Sequence, residues 1–246
     1  MMRHFAIFHR NDLHGSAPGP VSRRPQANGS AHPRDGRADV DDQIARLVQS
    51  VFLLPGAARV PQAVAFCGID AGVGCSWVCA RAAEVLAEQV PGRVCIVDAN
   101  LRSASLHGHF RVERNAGFSD AMKDGRPIRE FARPVRSGDL WLLTAGAVKT
   151  EPNGALNPAR LRARFSELRA EFDWLLLDTP AMSRYADAVL LGQLTDGVIL
   201  VVGSNSTRRE TARSAKRSFE AAGVPMLGAV LNKRTFPIPQ ALYQRL

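Results

Sequence analysis

Lysine is nearly missing from this basic chain. It occurs only at 123, 149, 216 and 233, so almost all of the 32 basic residues are arginine. With 23 acidic residues the net charge is +9, a balance that points to nucleic acid or an anionic membrane. The arginines are spread along the chain, however, with no run and no aromatic interleaving, so nucleic acid is not the expected partner. Tyrosine is as scarce, at 185 and 243 alone. The four cysteines stand at 67, 75, 79 and 95. Cys67 and Cys95 fall in apolar runs, which implies buried, reduced thiols and a cytoplasmic setting. Cys75 and Cys79 share a helix face, but no second His or Cys pair completes a metal site. No run of 18 apolar residues exists, so no membrane span is expected. The start, MMRHFAIFHRND, is too short and polar for a signal peptide.

What is present is an alternation of short apolar runs and helical patterns. Residues 1–38, rich in Pro, Gly and Ser, can bury little and are expected to be disordered. A leading amphipathic helix is expected over 39–54, with Ile44, Leu47, Val48, Val51 and Phe52 on one face and Pro55-Gly56 as its stop. Strands are expected at 63–67, 94–97, 140–144, 174–177, 197–202 and 226–231. Helices are expected at 75–89, with Val78, Ala82, Val85 and Leu86 as its core stripe, and at 118–123, 158–170, 186–194 and 207–222. The rest of 103–138 reads as irregular, and 235–246 as an arm. The strands are continuous apolar runs, so both sheet faces are covered. The fold class is therefore α/β, a parallel sheet with helices on each face. One domain over 39–234 accommodates all of it.

The organising stretch is Ala63 to Arg81: a strand, a glycine-rich loop (Gly68–Gly74), and a helix opening at Cys75. Gly72 and Gly74 let the backbone approach an anion, and the helix N-terminus offers unpaired N–H groups. That is a phosphate cradle, with Gly72, Val73, Gly74, Cys75, Ser76 and Trp77 as candidate cofactor contacts. The usual turn is Gly-Lys-Ser/Thr; here it is Gly74-Cys75-Ser76. The Ser76 hydroxyl is placed to meet Mg²⁺, while the lysine that meets the outer phosphates is absent. Two further strands end in acids at the same sheet edge, Asp98 and Asp178. With Ser76 they form a candidate Mg²⁺ set.

From Val64 to Leu231 the chain resembles the cytoplasmic domain of bacterial tyrosine kinases (BY-kinases), within the MinD/ParA-like deviant P-loop ATPases. Val94-Cys-Ile-Val-Asp98-Ala-Asn100-Leu-Arg102, with Ser-Ala-Ser-Leu-His107 after it, resembles the second Walker motif. Phe172-Asp-Trp-Leu-Leu-Leu-Asp178-Thr-Pro180 resembles the Walker B strand. Asp187-Ala-Val-Leu, Thr195 to Val202, Thr207-Arg-Arg-Glu and Gly228-Ala-Val-Leu-Asn232 resemble the segments that follow. The resemblance implies ATP or ADP with Mg²⁺ as cofactor, adenine reading by Asn232, and a role in capsule or exopolysaccharide chain length and export. It also implies a membrane-bound polysaccharide co-polymerase as a separate partner, a peripheral place at the inner membrane, and a possible homo-oligomer.

Departures from the family pattern bear on mechanism. Cys75 stands where the Walker lysine belongs. An ammonium beside a phosphate contributes roughly 4 kcal/mol at an effective dielectric near 20. Its loss implies about a thousandfold weaker transition-state stabilisation. Asn100 replaces the second acid of the D-x-D motif, the family's catalytic base, and an amide cannot take that proton. Asp98 is the remaining catalytic candidate. Asp70 adds negative charge to the loop, and Arg102 is placed to compensate in part. The tyrosine-rich tail is absent, leaving Tyr243. The E-x-x-R-x-x-R oligomer motif is also missing, with only Asp42 and Arg46 at other spacing. Cys75 itself reads two ways: a reactive thiol lowered in pKa by the helix N-terminus, or a small residue filling the lysine's place. Three functional readings follow: a catalytically impaired, nucleotide-responsive regulatory component; an active tyrosine autokinase or ATPase; and a partitioning-type ATPase that binds DNA or membrane.

Overall fold

In a computed structural model the described residues are 4–9, 36–53, 60–136, 139–147, 157–204 and 206–234. The apolar runs of the sequence are the middle of one sheet. β2 (Ala63–Gly68), β3 (Val94–Asp98), β6 (Trp174–Thr179) and β7 (Gly197–Gly203) are buried almost throughout. β5 (Leu140–Leu143) and β8 (Met226–Arg234) extend them, and two edge strands, β1 (His4–His9) and β4 (Ala132–Pro134), close the order β1-β8-β7-β2-β6-β3-β5-β4. The six inner strands pair in parallel, and both edges are antiparallel.

Successive residues of a strand face opposite sides, and the core divides accordingly. Val64 and Phe66 join Val78, Ala82 and Leu86 of α2 (Cys75–Gln89) and Ile44, Leu47 and Val48 of α1 (Gly36–Val48). Ala63, Ala65 and Cys67 join Leu161 and Phe165 of α5 (Pro158–Glu171), Leu191 of α6 (Asp187–Gly192) and Phe219 of α7 (Arg209–Ala221). Helices thus cover both faces, as the continuous apolar strands require. All four cysteines are free, with Cys67, Cys79 and Cys95 buried. Among the described residues no helix is long and apolar enough to cross a membrane.

Three expectations need correction. Residues 4–9, placed in a disordered segment, form β1 and pair with β8 from His9↔Gly228 to His4↔Arg234. The run His-Phe-Ala-Ile-Phe-His has strand-forming residues, and the outer edge of β8 offers it unpaired backbone groups. The leading helix starts at Gly36 and ends in a π-helical turn, Gln49–Leu53, where Ser50 donates to the Leu47 carbonyl at 2.8 Å. Its expected Pro-Gly stop, the expected disorder over 10–35 and the expected arm at 235–246 lie outside the described residues. Within 103–138, the described residues up to Arg136 are also more ordered than expected. Besides α4 (Phe118–Ala121) they hold α3 (Leu106–Phe110), a 3-10 turn at Ile128–Phe131, and β4.

Candidate nucleotide site

The glycine loop follows β2 because Ile69 N continues the ladder onto Val201 O at 3.0 Å and the chain then turns. Gly72 (φ 76°) and Gly74 (φ 90°) are both left-handed, where a side chain is strained. At Gly74 a Cβ would also collide with the Asn232 amide. Gly74, at the N-cap of α2, brings no side chain to accept from the first N–H groups of the helix. They open on a cavity of about 540 Å³. Its lining includes all six residues expected at the cradle, Gly72 to Trp77. Asn100, Arg102, Arg184 and Tyr185 lie along the other loops of its wall.

The loop is held from the far side by β8. Asn232 is buried, and its Nδ2 donates to Val73 O at 2.8 Å while its Oδ1 accepts from Lys233 N at 2.7 Å. Lys233 Nζ donates to Gly72 O at 2.6 Å. Asn232 is therefore held to the loop as a clasp and stands off the wall of this cavity. Asp70 accepts from the Thr207 hydroxyl at 2.8 Å, which ties the loop to the segment before α7. Sequence reasoning did not find the Lys233 and Thr207 contacts; an Asn-Lys pair at a strand end was the available signal.

Asp98 and Asp178 end adjacent parallel strands in register with each other, and both are fully buried. Asp98 Oδ2 accepts from Ser105 N (3.2 Å) and Leu106 N (3.1 Å), which sets the start of α3. Its Oδ1 and both oxygens of Asp178 complete no hydrogen bond with a described residue. Burial pushes the Asp178 carboxyl up and the Asp98 charge pushes it further, while Ser76 and Cys75 beside it pull back only in part. Burial likewise raises Asp98, partly offset by its backbone donors. The two titrate as a pair. Orphaned carboxylate oxygens beside a serine hydroxyl are hard donors that fit Mg²⁺. Among the described residues no three acids, histidines or cysteines form a metal cage, so Asp98, Asp178 and Ser76 would share the ion with phosphate oxygens. When bound, it would neutralise phosphate charge.

The remaining expected residues behave as follows. Cys75 is half-buried and its thiol is held well above the ordinary value, first by burial and then by Asp178. The expectation of a reactive, lowered-pKa thiol is thus corrected: a carboxyl neighbour in a desolvated setting outweighs the helix N-terminus. Asn100 lines the cavity, and its Oδ1 accepts from Ser103 N at 3.0 Å. Arg102 also lines it, 3.7 Å from Asp187 and 5.0 Å over the Tyr185 ring.

Residues 62–216 match the family model for the cellulose biosynthesis protein BcsQ. The chain is 30% identical over 161 residues to the tyrosine-protein kinase YwqD of Bacillus subtilis, covering 65% of this chain and 68% of that one. It spans about two thirds of the shorter curated relatives it matches and less than a quarter of the longer ones. The fold matches the crystal structure of the chimerical protein CapA2B2 with a TM-score of 0.72 at 23% identity, covering 79% of this chain and 85% of that one. It also matches the septum site-determining protein MinD of Pyrococcus horikoshii, complexed with Mg-ADP, with a TM-score of 0.57 at 23% identity and 68% of each chain. By the family model and these relatives, the chain belongs to the BcsQ family and is kin to bacterial tyrosine kinases, and its fold is the one that MinD shares.

Proposed function

We propose that this protein binds a Mg²⁺-nucleotide at the glycine loop and serves as a regulatory, nucleotide-responsive component of exopolysaccharide or capsule biosynthesis, with little phosphotransfer of its own. The observation that carries the reading is Cys75, a small neutral side chain at the lysine position of an otherwise intact cradle. The loop amides, Ser76 and the acid pair retain the means to hold phosphates and a divalent ion. Asn100 offers no base for a tyrosine hydroxyl. A nucleotide so held changes the loop, and through the clasp and the Asp70–Thr207 bond the change reaches β8 and α7. In this reading the nucleotide-binding domain is the expected 39–234 enlarged by the start of α1 and by β1, the strand that joins its sheet. A membrane-bound polysaccharide co-polymerase is the proposed partner, which would bring the protein to the cytoplasmic side of the inner membrane, with self-association possible there. The test is calorimetric titration of the purified protein with Mg·ATP, beside phosphotyrosine detection after incubation. Binding without phosphotyrosine is expected; tight binding with autophosphorylation would return the active-kinase reading.

A further inference from the structure

We infer that Arg184 supplies the cation that meets the outermost phosphate of a bound nucleoside triphosphate, and so sets the preference for triphosphate over diphosphate. This rests on the nucleotide reading above and names the residue that gives that site its specificity.

Three observations carry it. The first is placement. Met182 N donates to Gly68 O at 3.0 Å and Ser183 N donates to Ile69 O at 2.9 Å, so the backbone after β6 is strapped to the start of the glycine loop. Arg184 is the next residue, its N–H closing a turn on Ala181 O at 3.2 Å, and it lines the same cavity as Gly72 and Ser76. Its position relative to the phosphate cradle is fixed by two main-chain hydrogen bonds.

The second is availability. Of the cavity-lining residues, Arg102 and Arg184 are the cations. Arg102 already faces Asp187 and the Tyr185 ring. Arg184 is exposed and makes no ion pair or side-chain hydrogen bond with a described residue. Lys233, the other cation at the loop, spends its ammonium on the Gly72 carbonyl and stands off the cavity wall.

The third is need. The cradle offers amides to the inner phosphates, but Cys75 brings no charge to the outer ones, and Asp70 on the wall adds repulsion. A guanidinium is always charged and presents a planar fork of donors matched to phosphate oxygens. From the segment after β6, strapped beside the loop, it meets the phosphate that a diphosphate lacks. With Asn100 in place of a base, the arrangement recognises the triphosphate without accelerating its transfer.

The experiment is calorimetric titration of the full chain with Mg·ATP and with Mg·ADP, for wild type, Arg184→Gln and Arg184→Lys, with thermal melting of each apo protein. Wild type should prefer ATP. Arg184→Gln should lose about tenfold to a hundredfold in ATP affinity, as for a hydrogen bond to a charged group, with ADP affinity and apo melting unchanged. Arg184→Lys should recover part of the loss. Wild type that binds both nucleotides equally, or Arg184→Gln that keeps the wild-type ratio of ATP to ADP affinity, would overturn the inference alone. Wild type that binds neither would overturn the nucleotide reading and the inference together.

Discussion

Among the described residues two places bury carboxylates, and they are treated in opposite ways. Glu84, on the inner face of α2, is 3% exposed. It is ringed by Arg81, by Arg136 at 2.7 Å and by the His109 ring at 3.4 Å. Burial alone would raise its carboxyl; His109, Arg81 and Arg136 outweigh burial and hold it below the usual range. Asp98 and Asp178 are buried as completely, but three of their four oxygens complete no hydrogen bond of good geometry among the described residues, and only the Ser76 hydroxyl and Cys75 thiol stand beside Asp178. The Glu84 cluster is finished by the protein's own cations and ties α2 to α3 and to the segment after β4. Arg81 also reaches Asp41 of α1 at 2.7 Å. The aspartate pair is finished only by something from outside. A buried acid with all its partners is structure; a buried acid pair short of them, beside a glycine loop, is a candidate site.

The contrast is broken most forcefully by Glu84→Ala. It takes the shared carboxylate from Arg81, Arg136 and the His109 ring and should cost about 3 kcal/mol, near the low end for a broken buried pair because the arginines reach solvent and Arg81 keeps Asp41. Urea unfolding measures it, and a loss under about 0.5 kcal/mol, the range of ordinary surface changes, would remove Glu84 from the list of structural acids. Asp178→Asn should have the opposite sign. Without Mg²⁺ it should stabilise the protein by about 1–2 kcal/mol, since it removes the cost of burying a carboxyl that desolvation and the Asp98 charge push up to about 8. In the same variant, Mg²⁺ should no longer strengthen nucleotide binding. Destabilisation in metal-free buffer would mean that Asp178 has a partner after all.

A smaller effect separates the two by pH. Glu84 has a folded pKa below its unfolded one, so its contribution is present above about pH 4.3, the unfolded glutamate value, and is lost as pH falls through the folded value. Glu84→Gln should remove that part of the acid slope, read from denaturant midpoints between neutrality and acid. An unchanged slope would place the acid sensitivity elsewhere.

The frame of the fold was legible in the sequence, and much of the site was not. α2 runs from Cys75 to Gln89 as its pattern implies, because a glycine loop before it and an apolar stripe along it are local signals. The strand-end acids were legible for the same reason. β1 was not, because an edge strand depends on an unpaired neighbour, here β8, more than 200 residues away in the chain. α3 was missed because its start is set by Asp98, not by a capping residue of its own. Glu84 reads as an ordinary solvated helix residue until Arg136, whose backbone is left-handed (φ 63°), arrives from another element. Arg184 is one arginine among many in the sequence; only the main-chain straps to the glycine loop set it apart.

The cradle and its acids persist in this chain while the cation of the loop is gone. Titration of Cys75→Lys with Mg·ATP, beside wild type, tests it most directly. Restoring the ammonium should tighten binding by about tenfold to a hundredfold, the scale of a hydrogen bond between charged groups. Equal affinity in the two proteins would contradict the claim, because it would mean that the pocket lacks more than its lysine.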